Sequence, residues 1–370
     1  MKAKTRLPLI DRFFLWVNYA FCAALLLSYL APITDPRKAW LIAFFGLGYP
    51  IILTGNVVLI LYWAFRQRWH LLLSTICILC GLSVLNNNIG FHTGSKPKSA
   101  KAIRLMTYNV HNFKKFGSNK DISTKHEILS LIQQQQPDVI GIQEYYTRHR
   151  GQYNMTDSMK KLMQSKECYI ESFEGNADEI IGMAIFSKYP IINKGLIELS
   201  PIHGSGNQCM YVDVKKDSAT TIRLYSVHLQ SIRFEPQDYQ YLDTMSKGSA
   251  NMSGTHRIGS KLKQAFLKRA EQVLKIKDHA AQCPYPYIIA GDFNDTPTSF
   301  AVNRMQKGLK NAFAEQGFGL GRTYNGDFPN YQIDYVMASH QFNVLNYEIV
   351  KKKLSDHYPV VSDLEVSDTK

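Results

Sequence analysis

Residues 287–295 read YIIAGDFND. Residues 287–290 have the composition of a short buried strand, and a glycine then delivers two polar side chains, Asp292 and Asn294. A carboxylate at the end of a strand is held on rigid backbone at the edge of a sheet, where a substrate can reach it. Working outward from this stretch, the same punctuation recurs. Asn109 follows RLMTY, Glu144 follows VIGIQ, and His228 follows LYSV. Asp334 lies in YQIDYVMAS, and Asp356 with His357 lies in LSDHYPVV. Each of these is weak alone, because an Asn at a strand end is usually a turn residue and a lone strand His is usually structural. Asp334, among apolar neighbours, calls for a partner, since a buried unpaired carboxylate is costly. Together the four carboxylates, two Asn and two His suit phosphate chemistry on a hard divalent cation.

The intervening sequence supplies the frame. Residues 102–110 and DVIGIQ read as strands, separated by a helix. That helix carries a Thr124/Glu127 capping-box spacing ahead of Ile128, Leu129, Leu131 and Ile132, and Pro137 ends it. Strands are expected at 182–187, 209–215, 221–229, 287–290, 333–338 and near 357–361. A long basic amphipathic helix is expected at 260–281 and another helix at 300–314. Strand pairs alternating with helices predict a four-layer α/β sandwich, two packed mixed sheets flanked by helices.

The first ninety residues are different. Apolar runs cover 13–33, 39–65 and 71–91. About 20 such residues cross a hydrocarbon core. The runs predict an N-terminal three-helix transmembrane anchor over 1–91, a Gly/Ser/Pro/Lys linker over 92–101, and a catalytic domain over 102–370. The third run ends in Asn86, Asn87 and Asn88, so a re-entrant segment is its alternative. A cleaved signal peptide would explain the first run only. No ionisable residue lies within the runs, which disfavours a transporter or channel. Residues 1–100 hold ten Lys/Arg against two Asp, or +8 of the net +13. Most of that excess flanks apolar runs, so anchoring explains it better than nucleic acid does. Lys2, Lys4, Arg6, Arg12, Arg66 and Arg68 outweigh Arg37 and Lys38. The expected protein is integral to the cell membrane with an extracytoplasmic catalytic domain. Lys96, Lys98 and Lys101 weigh against that orientation. Six scattered cysteines imply no disulfide framework, and Cys77 with Cys80, inside an apolar run, imply no metal site.

The segments TYNV, PDVIGIQE, GMAIFSKYPI, SVHLQS, GDFND, QIDYV and SDHYPV occur in the order used by the endonuclease/exonuclease/phosphatase family, and residues 102–366 resemble that family. The resemblance implies Mg²⁺ (or Mn²⁺), with Glu144 as principal ligand, Asn109 beside it and Asp356 in support. It implies that Asp292 orients or deprotonates the attacking water. Asn294 would hold a phosphate oxygen or the water, and His228 would donate to phosphate. Asp334 would orient His357, leaving open which of Asp292 and His357 is the base. The chain has SVHLQS where AP-endonuclease-like members carry Tyr-x-Pro-Asn. It has NYQIDYV where inositol-polyphosphate phosphatases carry Cys-Asp-Arg. Gln332 stands where many relatives have Arg.

The expectation is a membrane-anchored, divalent-metal-dependent phosphoesterase hydrolysing phosphodiester (or phosphomonoester) bonds with metal-activated water. It would be nuclease-like or a lipid-headgroup phosphodiesterase. Its partners would be a phosphate-ester substrate (nucleic acid, nucleotide or phospholipid headgroup) and membrane lipid around the N-terminal spans, with no obligate protein partner evident. The alternative is a catalytically inactive membrane-tethered binding module of the same fold. Residues 231–257, polar and directly after His228, read either as a substrate-shaping loop or as a solvated insertion.

Overall fold

The computed structural model of the chain describes residues 7–92, 99–114, 122–165, 167–201, 204–249, 251–326 and 330–367. Most of the expected linker, Lys96 and Lys98 within it, lies outside the described residues, as do Lys2, Lys4 and Arg6. The chain divides into two compact units. One comprises 1–88 with 296–304, and the other comprises 89–295 with 305–370. This differs from the boundary expected at 91/92 and takes a short segment after the GDFND motif into the first unit.

The first unit contains helices α1 (Leu9–Ser28), α2 (Pro36–Leu47), α3 (Tyr49–Phe65), α4 (Leu71–Cys80) and α5 (Leu82–Asn88). Among the described residues only α1 is by itself long and apolar enough to cross a membrane. The other two expected spans are bent pairs, α2 with α3 at 49° and α4 with α5 at 73°. The third also stops at Asn88, short of 91, because residues 89–91 form a strand. Gly48, followed by Pro50, marks the first bend, where Pro restricts the preceding backbone. Gly81 marks the second, where a Cβ would lie 2.1 Å from the Tyr29 ring.

A seam of polar side chains runs between these helices. Asn18 Nδ2 donates to Ser74 Oγ (2.6 Å), Ser74 Oγ donates to Asn56 Oδ1 (2.8 Å), and Trp63 Nε1 donates to Asn18 Oδ1 (2.8 Å). The Asn56 amide turns back to the carbonyls of Phe21 and Ile52. Such mutual bonding fixes helix register where no water can substitute. Near the start of α1, Asp11 pairs with Arg66 at 2.9 Å and accepts from Tyr62 Oη. The start of α1 and the end of α3 therefore share one side of the unit.

The second unit begins with β1 (Ile89–Phe91), followed by β2 (Ile103–Asn109), a 3₁₀ turn at His111–Phe113, α6 (Ile122–Gln135) and β3 (Val139–Arg148). Next come α7 (Met155–Met163), β4 (Glu167–Gly175), β5 (Glu179–Ser187), β6 (Ile191–Glu198), β7 (Gln208–Lys215) and β8 (Thr221–His228). Helices α8 (Pro236–Ser246) and α9 (Met252–Ala280), β9 (Tyr287–Asp292), α10 (Phe300–Gln306, most of which belongs to the first unit), β10 (Leu309–Asn311) and α11 (Ala312–Gln316) follow. The chain closes with β11 (Phe318–Leu320), β12 (Asp334–Ser339), β13 (Phe342–Ile349) and β14 (Val360–Val366).

Two mixed six-stranded sheets result, in the orders β13-β14-β2-β3-β5-β4 and β10-β12-β9-β8-β7-β6, with β1 and β11 forming a separate ribbon. Leu105, Val139, Met183 and Ile185 of the first sheet pack against Met210, Leu224, Ile288 and Val336 of the second. Met106, Tyr108, Ile140 and Ile142, on the other face of the first sheet, pack with Ile128, Ile132 and Met159 of α6 and α7. On the second sheet Tyr225 Oη meets His279 Nδ1 of α9 at 3.0 Å. Central strands are thus buried on both faces, which is why RLMTY and YIIAG lack clean alternation. The four-layer α/β sandwich is present.

Local expectations need correction in places. Thr124 lies inside α6, which begins at Ile122, so Thr124/Glu127 is not its cap. Helix α9 starts at Met252, not 260, and with α8 it converts most of the polar stretch 231–257 into helix. The expected helix 300–314 is broken by β10. His357 precedes the last strand instead of opening it, and makes an isolated bridge with Tyr324.

Candidate active site

All eight expected residues converge where strands of the two sheets end. In the second sheet His228 lies directly opposite Asp292 on parallel β8 and β9, and Asp292 lies opposite Asp334 on antiparallel β9 and β12. One row of three neighbouring strands thus presents three ionisable groups. Gly291 makes this possible. Its φ is +146°, and a Cβ there would lie 2.0 Å from the Val227 carbonyl oxygen. Only a residue without a Cβ lets β9 come this close to β8.

In the first sheet Asn109 ends β2, and Glu144 sits in a bulge of β3. Ile142 faces Ala184 and Tyr145 faces Gly182, so Gln143 and Glu144 share one opposing residue. Glu144 has φ 50° and Asn294 has φ 53°. Both values are strained for residues with a Cβ, and the strain is concentrated here at the site. Beneath them the sheets approach closely. A Cβ on Gly141 would lie 2.7 Å from Ser226 Oγ, and Gln143 Nε2 bridges Thr107 Oγ1 (3.2 Å) and Ser226 Oγ (3.1 Å).

Asn109 ties the sheets together at the site, its Nδ2 donating to Glu144 Oε1 (3.1 Å) and to Asp292 Oδ2 (3.2 Å). His228 Nε2 is 4.0 Å from Glu144 Oε1 and 3.7 Å from Asp292 Oδ2. His357 Nε2 is also 3.7 Å from Asp292 Oδ2, while its Nδ1 is 2.9 Å from Asp334 Oδ2. The Asn294 amide faces Leu229 O (3.1 Å) and Asp292 Oδ2 (3.2 Å), and its backbone N–H donates to Asp292 Oδ1 (2.8 Å). In this arrangement Asn294 clamps Asp292, a different use of its amide from the expected phosphate contact.

Electrostatics separates the carboxylates. Burial pushes the Asp292 carboxyl up to about 6, against the lowering influence of the His357 charge. Burial acts on Glu144 the same way. The bond from His111, the His228 and His111 charges and the Asn109 amide outweigh it and hold the carboxyl down at about 2. For His357 burial opposes the charge, yet Asp334 and Asp292 together raise its pKa well above the ordinary imidazole value.

Sequence reasoning missed His111. Its Nδ1 lies 3.5 Å from Glu144 Oε2 and 3.8 Å from Asp356 Oδ1, and its bond to Glu144 raises its pKa. Three consecutive left-handed residues, His111, Asn112 and Phe113, turn it inward, and buried Phe113 packs its ring against Tyr145. Ser355 was also missed; its Oγ donates to the Asn109 carbonyl (2.8 Å) and lies 3.1 Å from Asp356 Oδ1.

Two clusters could hold a cation. Asn109, Glu144, Asp356 and His111 offer an oxygen-rich set with one imidazole, and Glu144 is already ionised. That chemistry fits Mg²⁺ or Mn²⁺. Asp292, Asp334 and His357 also bring ligand atoms within 4.8 Å of one another. There, however, His357 Nδ1 is committed to Asp334, which makes that trio a charge-compensated pair beside a carboxylate.

A family model described as Endonuclease/Exonuclease/phosphatase family matches residues 106–357. Residues 11–88 match a domain family of unknown function, DUF8431. No curated protein matches the chain. Among solved structures, an endonuclease/exonuclease/phosphatase family protein from Bacteroides thetaiotaomicron is similar at 19% identity and TM-score 0.54, covering 74% of this chain and 100% of that one. A counterpart from Bacteroides vulgatus gives 17% identity and TM-score 0.53, covering 73% and 100%. A mannosyl-6-phosphatase from Bacteroides thetaiotaomicron gives 19% and 0.50, covering 71% and 99%.

Proposed function

The chain belongs to the endonuclease/exonuclease/phosphatase family, and on that footing we propose that it hydrolyses phosphate esters, with a divalent cation, from a membrane-embedded anchor. The observation that carries this reading is the meeting of Glu144, His228 and Asp292 around one point contributed by both sheets. Asn109, Glu144, Asp356 and His111 would hold Mg²⁺ or Mn²⁺. When bound, the cation would neutralise phosphate oxygens and make water more acidic.

The protein's own groups then divide the proton work. Asp292, buried and clamped by Asn109 and Asn294, accepts a proton from the attacking water. As the water oxygen bonds to phosphorus, the ester P–O bond breaks. His357, kept charged by Asp334, gives a proton to the departing oxygen or donates to the phosphoryl group. His228 donates to a second phosphoryl oxygen. This division follows from Asp292 being ionised and His357 charged at neutral pH, the pattern of pKa values pushed apart.

The apolar α1 and the two bent helix pairs support integration into a membrane. The Lys/Arg distribution, with Arg66 and Asp11 at one end, supports an extracytoplasmic catalytic domain. The test is an assay of the full-length protein in lipid nanodiscs with Mg²⁺, Mn²⁺ or EDTA. Substrates would be plasmid DNA, RNA, sphingomyelin, inositol phosphates, sugar phosphates and bis-p-nitrophenyl phosphate. Cation-dependent turnover that Asp292→Asn abolishes supports the reading. Binding without turnover on every substrate would favour a tethered binding module.

A further inference from the structure

The ribbon of β1 and β11 is patterned backwards for a surface in water. Ile89 pairs with Leu320, Gly90 with Gly319, and Phe91 with Phe318. Since side chains alternate along a strand, the two glycines share one face and the four apolar residues share the other. Gly90 is buried, and a Cβ there would lie 2.3 Å from the Gly317 carbonyl oxygen. The apolar face is open, with Phe91 61% exposed and Phe318 and Leu320 each 70% exposed. Elsewhere among the described residues of the sandwich, large apolar side chains exposed to this degree are few, Met252 at 86% being one. A contiguous exposed patch with two aromatics is a site for a partner.

Chain continuity identifies the partner. Ile89 is joined directly to Asn88, the last residue of α5, so the ribbon begins one peptide bond beyond the last apolar helix. Cationic residues lie close to it along the chain: exposed Arg322 is two residues beyond Leu320, and exposed Lys101 follows Phe91 of the other strand. An apolar tip flanked by cations is the composition of an element lying in a membrane interface. We propose that the Ile89–Phe91/Phe318–Leu320 ribbon inserts its apolar face into the headgroup boundary of an anionic bilayer, as an attachment point separate from the helices. This rests on the membrane reading of the anchor and adds to it a contact made by the catalytic unit itself.

The test uses the full chain in phosphatidylcholine/phosphatidylglycerol vesicles, with the photo-crosslinking residue benzoylphenylalanine at one position at a time. Position 318 reports the ribbon. Position 61, on exposed Leu61 of α3, reports the anchor, and position 252 reports an exposed residue elsewhere in the domain. Mass spectrometry should find lipid adducts at 318 and 61, with at least about tenfold less at 252. A lipid adduct at 61 with none at 318 would overturn the ribbon proposal while leaving the anchor standing. So would a covalent dimer through 318, or equal lipid yield at 318 and 252. No lipid adduct at 61 would overturn the anchor reading and the ribbon with it.

Discussion

Asp334 Oδ2 lies 2.9 Å from His357 Nδ1, with the two side chains 2% and 5% exposed. The pair acts as one unit, since Asp334 fixes the ring and keeps it charged. His357→Ala should lower kcat by about 10²–10⁴-fold, the usual range for losing one acid or donor. Asp334→Asn should be a milder copy, and the double variant should be little worse than His357→Ala alone. Clean multiplication of the two losses would refute the pairing.

The pH profile should report Asp292. Its carboxyl, held at about 6, accepts a proton only when ionised, so kcat/KM should rise with pH and level off above about 6. Bound cation would move this limb lower. His357→Gln removes a positive charge that lowers the Asp292 pKa, so the limb should move to higher pH. The two groups are coupled, and the limb belongs to the pair. A limb unmoved by His357→Gln would exclude this assignment.

Cation binding can be read without turnover. By calorimetry with Mn²⁺, Glu144→Gln should weaken binding by about tenfold or more, because it removes the charge while keeping the shape. His111→Ala should weaken it less, because the Glu144 and Asp356 carboxylates that favour a hard cation remain. Unchanged affinity in both variants would move the cation elsewhere, with the Asp292/Asp334/His357 cluster as the next candidate.

Gly291→Ala should cost at least about 2 kcal/mol of stability, since it combines a disfavoured φ with a backbone clash. Gly308→Ala, also at positive φ (+78°) but with nothing within 4 Å of a Cβ, should cost less. Thermal unfolding of the two variants gives the comparison.

Orientation is tested by Lys98→Cys and a membrane-impermeant maleimide on intact cells. Labelling before lysis is expected, and labelling only after lysis would put the domain in the cytoplasm.

The sandwich was legible because strand ends repeatedly carried polar residues in one order. What the sequence hid has physical causes. Edge strands β4 (ECYIESFEG) and β6 (IINKGLIE) mix charge and glycine into their runs, as edges that must not pair with other chains do. Helix α7 did leave a signal, since Met155, Met159 and Met163 recur at helical spacing behind the Asn154 cap and all three are buried. His111 left none. Its aim depends on three left-handed residues in succession, and although His and Asn visit that region more than most residues, a run of three ending in Phe is not announced. The bends in the apolar helices depend on glycines, and the Tyr29 ring that Gly81 admits is distant from it in sequence.

The polar seam has a bearing on how the N-terminal unit could be cut or borrowed. Asn18 belongs to α1, Asn56 and Trp63 to α3, and Ser74 to α4, so the Asn18–Ser74, Ser74–Asn56 and Trp63–Asn18 bonds each join two helices. A fusion that keeps α1 alone as a minimal tether would strip Asn18 of its Ser74 and Trp63 partners and leave its amide only Cys22 Sγ, one turn along the same helix. During synthesis α1 is made before the two segments, α3 and α4, that carry those partners. The helices therefore reach a satisfied state only as a set, and a shortened tether would be a different object from the first third of this one.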